Sequence, residues 1–168
     1  IYYKNKGDVD LAIEEYEKGI ALEESNPYAA AFCFRNRAEI YTEQNKLNEA
    51  KRDYSKAIEL DPENPEILVN LSTVYYSMKE FESSREMLKE AVLMDTEIPE
   101  AYSGLALLEI RDQKPDLAMD YIEYALSLSP DNPYFLNNRG YIHLTIGNYE
   151  SALGDINASI EIDPYNSW

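Results

Sequence analysis

Apolar and small residues recur three and four positions apart along most of this chain. One such series runs through Ala50, Tyr54 and Ala57, and others follow at the same spacing. Residues three and four positions apart share one face of an α-helix. The pattern therefore predicts a succession of amphipathic helices.

The helical pattern itself repeats with a period of thirty-four positions. The segment Asn36–Tyr41 is matched one period later by Asn70–Tyr75, and two periods beyond that by Asn138–His143. A fixed period between about 20 and 50 residues is typical of repeat architectures. Small residues recur in the same register in the second half of each unit, at Ala50, Ser84, Ala118 and Ala152.

This period predicts a single array over residues 1–168. Four complete repeats span 31–64, 65–98, 99–132 and 133–166, residues 1–30 form a truncated repeat, and residues 167–168 begin a further one. From this division we expect the chain to be a fragment of a longer array.

Each repeat reads as two helices, and a turn-forming residue marks the break between them in three of five cases. Gly7, Asn45 and Gly147 fall between the helices of a repeat, where they tolerate the left-handed conformation that closes a helix. Between repeats, as in Asp61–Pro65, the first proline ends one helix, the asparagine caps the next, and the second proline occupies its first turn. The first helices carry a small residue at one recurring position, as Ala38, Ser72, Ala106 and Gly140. We therefore predict that the two helices of each hairpin approach closely at this position.

One repeat departs from the period. The step from Ala12 to Ala50 is four positions longer than the period, and Pro27 precedes Asn36 by nine positions where Pro65 precedes Asn70 by five. Four extra residues add about one helical turn, roughly 6 Å, and keep the helical face in phase. The sequence therefore predicts a longer first helix in this repeat.

The period and its recurring small, aromatic and proline positions resemble the tetratricopeptide repeat family over essentially the whole chain. The departures are modest, with Glu109 and His143 standing where the family has tyrosine. The resemblance implies an all-α fold, a right-handed superhelical solenoid of antiparallel helix-turn-helix repeats. It also implies a concave groove, lined mainly by the first helix of each hairpin, that binds extended segments.

Asparagine occupies one recurring position of the first helix in three of the four complete repeats, as Asn36, Asn70 and Asn138, with Gly104 in the other. An amide side chain matches the N–H and C=O of an extended peptide whatever its sequence. The resemblance implies that these residues project into the groove and hold ligand backbone. Two alternatives stay open, a bond to the neighbouring repeat and simple exposure to water.

Other residues on the same helical faces complete the candidate site. The early groove is predicted to be polar, with Arg35, Glu39 and Glu43, and the late groove apolar, with Leu107, Ile110, Tyr134, Tyr141 and Leu144. A ligand with a polar stretch followed by an apolar one would suit such a surface. The predicted peptide-binding residues are Asn36, Asn70, Asn138, Arg35, Glu39, Thr73, Tyr76, Leu107, Asn137 and Tyr141.

Charge narrows the choice of partner. The 15 basic and 32 acidic residues give a net charge of -17, which disfavours nucleic acid and anionic membranes and favours neutral or basic proteins. A merely solvated acidic surface is the alternative. A two-carboxylate clamp of the kind some family members use is not expected, because Glu66, Glu100 and Tyr134 stand where its cations would be. The sequence has neither a signal-peptide pattern nor a long apolar stretch. It therefore does not determine the cellular compartment, although the cytoplasm is slightly favoured.

No catalytic, metal or cofactor site is predicted. His143 is the only histidine and Cys33 the only cysteine, which is too few ligands for a histidine–cysteine zinc site. The two residues lie more than three repeats apart, which is too distant in the array for a catalytic pair. Cys33 is expected to pack as a small hydrophobic residue. Because Glu109 and His143 lie in consecutive repeats, we expect them either to contact each other, which would raise the pKa of His143, or to bond separately to nearby groups.

We therefore expect a non-enzymatic scaffold that binds an extended peptide or partner segment in its groove. The alternative is a structural element that self-associates by stacking its repeat ends on other copies.

Overall fold

In the computed structural model, residues 9–164 are described, and within this range the chain is all-α. The described helices are α1 Val9–Ile20, α2 Pro27–Glu43, α3 Leu47–Leu60, α4 Pro65–Ser77, α5 Phe81–Met94, α6 Pro99–Arg111, α7 Pro115–Leu128, α8 Pro133–Thr145 and α9 Tyr149–Ile162. The chain divides into two compact units, Ile1–Glu90 and Ala91–Trp168, called unit 1 and unit 2 below. The predicted succession of helix-turn-helix repeats is confirmed.

Proline and asparagine begin the first helices largely as predicted. Proline opens α2, α4, α6 and α8. Asn132 Oδ1 accepts hydrogen bonds from the N–H groups of Tyr134 and Phe135, at 3.0 and 3.4 Å. Asn64 is different, because its amide donates to Asp61 Oδ2 at 3.0 Å and does not cap α4.

The turn inside each hairpin uses one residue with positive φ. Asn45 and Gly147 have φ angles of 57° and 80°, as predicted, while Gly7 lies outside the described residues. Lys79 and Gln113 adopt the same conformation, with φ angles of 64° and 61°. The turn geometry therefore persists in repeats whose residues give no local sign of it.

Small residues allow the two helices of a hairpin to pack closely. Ala38 and Ala50 are fully buried where α2 packs on α3, and Ala106 and Ala118 are fully buried where α6 packs on α7. At Gly140, a Cβ atom would lie only 2.9 Å from the Ile156 side chain and 3.3 Å from the Ala152 carbonyl oxygen. The predicted close approach of the helices is confirmed.

Each unit has its own hydrophobic core. In unit 1, Phe34, Tyr54, Ile67 and Val74 pack together. Burial raises the pKa of Tyr54 to about 12. A smaller cluster of Ala12, Tyr16 and Ile40 joins α1 to α2, with Cys33 packed against it. In unit 2 the core consists of Ala106, Ile110, Ala118, Ile122, Ala125, Leu126, Phe135, Leu136 and Ile142.

Two ion pairs also join helices within a hairpin, the first buried and the second partly buried. Arg37 donates two hydrogen bonds to Asp53, at 2.6 and 3.0 Å, and Arg139 donates two to Asp155, at 2.8 and 2.6 Å. The two pairs are related by three repeat lengths. The repeat after the first pair has Leu71 and Met87 at these positions, both in the unit 1 core. This pairing could have been predicted from the sequence by comparing, from repeat to repeat, the residues at these two positions of the hairpin.

The longer first helix is confirmed. Helix α2 has 17 residues, whereas α4, α6 and α8 have 13 each. The extra turn lies at the N-terminus of α2 and carries Tyr28, which is 70% exposed. Within the described part of the chain, no helix is long and apolar enough to cross a membrane.

Candidate functional site

The accessible side chains of the first helices form the candidate site, called the first-helix face. In unit 1 it is contributed by α2 and α4, which contact each other, and in unit 2 by α6 and α8, which also contact each other. On α2 the accessible residues Phe32, Arg35 and Glu39 follow one another at helical spacing, with Tyr28 one turn before them. Each unit therefore presents two adjacent helices from which a bound segment could be held.

In unit 1 the predicted site residues differ in accessibility. Glu39, Thr73 and Tyr76 are exposed, whereas Arg35 and Asn70 are half-buried. Arg35 Nη1 donates to Glu66 Oε2 at 3.1 Å, which links α2 to α4. This part of the face is therefore a mixture of charged, polar and aromatic groups.

Asn36 is buried rather than projecting freely. Its amide nitrogen donates to the Phe32 carbonyl oxygen, one turn earlier in the same helix, at 2.7 Å. The donor is thus committed to the helix itself, an arrangement that short polar side chains commonly adopt within helices.

In unit 2, Asn138 is also buried and contacts the neighbouring repeat. Its amide nitrogen donates to Ser103 Oγ on α6 at 2.8 Å, while its Oδ1 atom is buried without a hydrogen-bond partner. Leu107 and Asn137 are half-buried and Tyr141 is 52% exposed. The Asn138 carbonyl oxygen can therefore meet a ligand only if the side chain rotates.

Three equivalent asparagines thus occupy three environments, and peptide contact by them stays a prediction. The Asn70 amide is the most accessible of the three. Arg35, which precedes Asn70 by 35 positions as Ser103 precedes Asn138, is paired with Glu66.

Large exposed apolar and aromatic side chains are the feature shared by the first helices of both units. They are Tyr28, Phe32, Tyr76, Tyr134, Tyr141 and Leu144. The predicted change from a polar to an apolar groove is therefore not observed, because Tyr28 and Phe32 already place aromatic rings in unit 1. Phe32 and Tyr134 lie three repeat lengths apart, a relation that could have revealed one of these rings from the sequence.

Ile110 is not part of this face. It is 8% exposed and packs in the unit 2 core with Leu126 and Phe135. The expectation that it lines the late groove was wrong, because Leu126 and Phe135 of the unit 2 core cover it.

Unit 2 carries most of the net negative charge. Residues 91–168 contain 13 acidic and three basic residues, a balance of -10. Each of the three cations lies in an ion pair, Arg111 with Asp112, Lys114 with Glu109 and Arg139 with Asp155. An acidic ligand would find no uncommitted cation among the described residues of this unit.

Glu109 and His143 each have a charged group nearby within their own hairpin. Lys114 Nζ lies 3.3 Å from Glu109 Oε2, and His143 Nε2 lies 3.9 Å from Asp155 Oδ2. A direct contact between Glu109 and His143 stays a prediction. Over residues 9–164, no group of three or more His, Cys, Asp or Glu side chains is arranged to hold a metal ion.

Known proteins resemble this chain along most of its length. The protein CTR9 homolog of Arabidopsis thaliana is 26% identical over 156 residues, which cover 90% of this chain and 14% of that protein. The chain spans less than a quarter of the length of the first curated relatives it matches.

Two solved structures show the same fold. Pseudomonas aeruginosa PilF is 23% identical with a TM-score of 0.79, covering 98% of this chain and 73% of that one. The first TPR domain of Spaghetti (RPAP3), bound to the HSP90 peptide SRMEEVD, is 26% identical with a TM-score of 0.63 and covers 70% of this chain and 93% of that one.

Repeat-family models account for nearly all of the sequence. One model described as a tetratricopeptide repeat matches residues 69–133 and 104–167, and another matches residues 2–26. A third, described as a TPR repeat, matches residues 38–79. Together with the helical hairpins and their spacing, these matches show that the chain belongs to the tetratricopeptide repeat family.

Proposed function

We propose that this chain is a protein interaction module in which the first-helix face of each unit holds an extended segment of a partner protein. The observation that carries the proposal is the set of exposed aromatic residues on the first helices of both units, including Phe32, Tyr76, Tyr134 and Tyr141. Five of the seven exposed aromatic side chains among the described residues lie on first helices, and tyrosine is enriched where binding energy concentrates.

The geometry of adjacent helices suits an extended ligand. Packed helix axes lie about 8–10 Å apart, which equals the length of about three residues of extended chain. A segment that crosses both first helices of a unit would present a different side chain to each of them. On this view the Asn70 amide, which is more accessible than those of Asn36 and Asn138, is the best placed to bond the ligand backbone.

The charge of the face favours a neutral or basic segment. RPAP3 provides a contrast, since its TPR domain was solved with the peptide SRMEEVD, which contains three acidic residues. In the present chain, Arg35 is paired with Glu66, and Arg111 with Asp112. An acidic segment would have to displace these carboxylates, so a basic or uncharged one is the better match.

Site-specific crosslinking would locate the partner on the surface. A photo-crosslinking amino acid at position 73 or 141 on the first helices is expected to capture the partner. The same group at Leu117 or Tyr149, which are exposed on second helices, is expected not to. Capture with equal yield from all four positions would contradict the proposed location.

Affinity for the captured partner then tests the aromatic residues. Tyr134→Ala combined with Tyr141→Ala is expected to weaken binding at least about tenfold, or 1.4 kcal/mol, because exposed tyrosines at an interface lose their contact area on truncation. The matched control, Leu117→Ala with Tyr149→Ala, should bind as the parent does. An equal loss of affinity in both double variants would mean that the substitutions destabilise the fold, and circular dichroism would detect this loss of structure.

Self-association is a second candidate because of the last described hairpin. Leu144 and Ile160 are 43% and 49% exposed, while the residues one repeat earlier, Ile110 and Leu126, are 8% and 7% exposed. The earlier pair is covered by Phe135 and its neighbours in the unit 2 core. We infer that a second copy of the chain would bury the exposed pair.

Sedimentation velocity across the micromolar range is the test of this second candidate. The parent chain is expected to dimerise, and Leu144→Glu with Ile160→Glu is expected to leave it monomeric, because charges there cannot be buried unpaired. Leu117→Glu, at an exposed site on α7, is the control. A parent that stays monomeric at the highest concentration would exclude association through this hairpin.

A further inference from the structure

The extra turn of α2 forms one wall of a cleft in unit 1. The turn places Tyr28 one helical turn before Phe32 on the same face, and the two rings are 70% and 45% exposed. Between them and the loop before α4 lies a cleft of about 190 Å³. Its lining consists of Tyr28, Ala31, Phe32 and Arg35 from α2, Asp61 and Asn64 from the loop, and Ile67 from α4.

The volume of the cleft selects the size of its occupant. A cavity of about 150 Å³ lined by apolar groups accommodates benzene, whereas pockets for small-molecule ligands are typically about 300–1,000 Å³. At about 190 Å³, the cleft matches one phenyl or isobutyl side chain. Ala31 and Ile67, which are 2% and 1% exposed, supply apolar contact at its base.

The walls of the cleft are held in place before any ligand binds. Arg35 Nη1 donates to Glu66 Oε2 at 3.1 Å, and the Arg35 guanidinium lies 5.5 Å from the centre of the Phe32 ring. Asp61 Oδ2 accepts a hydrogen bond from Asn64 at 3.0 Å. Ordering these side chains in advance lowers the entropy cost of binding.

The rim of the cleft is acidic. Asp61 lies in the lining, Glu63 is exposed in the same loop, and Glu66 is 71% exposed. Arg35 is the cation of the lining, and its pairing with Glu66 leaves Asp61 and Glu63 to set the local charge. A lysine or arginine next to the bound side chain would meet complementary charge there, with an attraction that salt screens.

We propose that this cleft binds a large apolar side chain of a partner segment, flanked by a lysine or arginine that lies at the acidic rim. The assignment rests on the proposed function. It adds that the first-helix face of unit 1 prefers a partner sequence with a bulky apolar residue beside a basic one. Tyr28 and Phe32 form the walls, Ala31 and Ile67 form the base, and Asp61 receives the cation.

The test uses capped pentapeptides and the intact chain, observed by NMR chemical-shift titration. Acetyl-Gly-Lys-Phe-Lys-Gly-amide is expected to shift the signals of Tyr28, Phe32 and Ile67 in a saturable manner. Replacing the phenylalanine of the peptide with alanine, or both lysines with glutamate, is expected to weaken binding at least tenfold. Equal affinity for the glutamate peptide, or shifts confined to other parts of the chain, would overturn the assignment.

Protein variants complete the test. Tyr28→Ala and Phe32→Ala should each weaken binding of the lysine peptide at least tenfold, and the exposure of both rings makes unfolding an unsuitable explanation, which circular dichroism verifies. Tyr149→Ala is the matched control, because Tyr149 is an aromatic side chain that is 71% exposed on a second helix, outside the first-helix face. Unchanged affinity of Tyr28→Ala would overturn the proposal.

The outcome separates this proposal from the one on which it rests. If the peptide does not bind the cleft but crosslinks from position 73 or 141 still capture a partner, the cleft assignment alone fails. If the peptide binds as expected but partners are captured from the second helices, the proposed function fails and the cleft remains a local site.

Discussion

Asp53→Ala is expected to lower the free energy of unfolding by about 3–5 kcal/mol, because it leaves the buried Arg37 guanidinium without its counter-ion. The Asp53 side chain is 1% exposed and that of Arg37 is 11% exposed. Burial disfavours the charged form of Arg37, but the hydrogen bonds and charge of Asp53 outweigh this effect and raise the arginine pKa. Glu17 lies 3.6 Å from Arg37 but is 57% exposed, so it offers little compensation.

The chain supplies its own control for this experiment. Arg37→Leu combined with Asp53→Met introduces the residues that the next repeat has at these positions, Leu71 and Met87. Replacing both members of a buried ion pair with packed apolar residues is often neutral or stabilising. Urea denaturation followed by circular dichroism should therefore show the double variant close to the parent. A double variant as unstable as Asp53→Ala would contradict this account.

Ile142→Ala is expected to cost about 2–5 kcal/mol of stability, since it removes buried methyl groups and leaves a cavity in the unit 2 core. Ile142 is fully buried, whereas Tyr141, the residue before it on α8, is 52% exposed. The side chain that anchors the helix and the side chain offered to a ligand are thus neighbours in sequence. Loss of the anchor should weaken the first-helix face together with the fold.

The same substitution at an exposed isoleucine tests whether the loss of stability is due to burial or to the residue type. Ile160 is 49% exposed on α9, and Ile160→Ala should change stability by no more than about 0.5 kcal/mol at concentrations where the chain is monomeric. Denaturation midpoints of both variants give the comparison. Similar losses at both positions in the monomer would contradict the exposure of Ile160.

The sequence predicts the helices well because their signals are local and repeated. Prolines open the first helices, small residues mark where helices approach, and the shifted spacing of Pro27 and Asn36 predicts the extra turn of α2. Lys79 and Gln113 were not predicted as left-handed turn residues, because neither side chain favours that conformation. There the packing of the two flanking helices determines the turn.

The candidate site is less predictable because partners come from other repeats. Asn36 and Asn138 share a register, yet one bonds its own helix and the other bonds Ser103. The bond of Asn138 requires the serine at position 103, and this residue does not follow the period. The cleft beside Tyr28 likewise arises from a loop and two helices that meet only in the folded chain.

The buried ion pair of Arg37 and Asp53 has a consequence for how this chain can change over generations. Single-nucleotide steps alter one residue at a time, so Arg37 and Asp53 cannot be exchanged for an apolar pair without passing through a buried unpaired charge. A loss of about 3–5 kcal/mol is a large part of the roughly 5–15 kcal/mol that typical domains possess. Repeats with an ion pair at these positions and repeats with apolar residues there are thus separated by unstable single variants. Both kinds of repeat can therefore persist in one array.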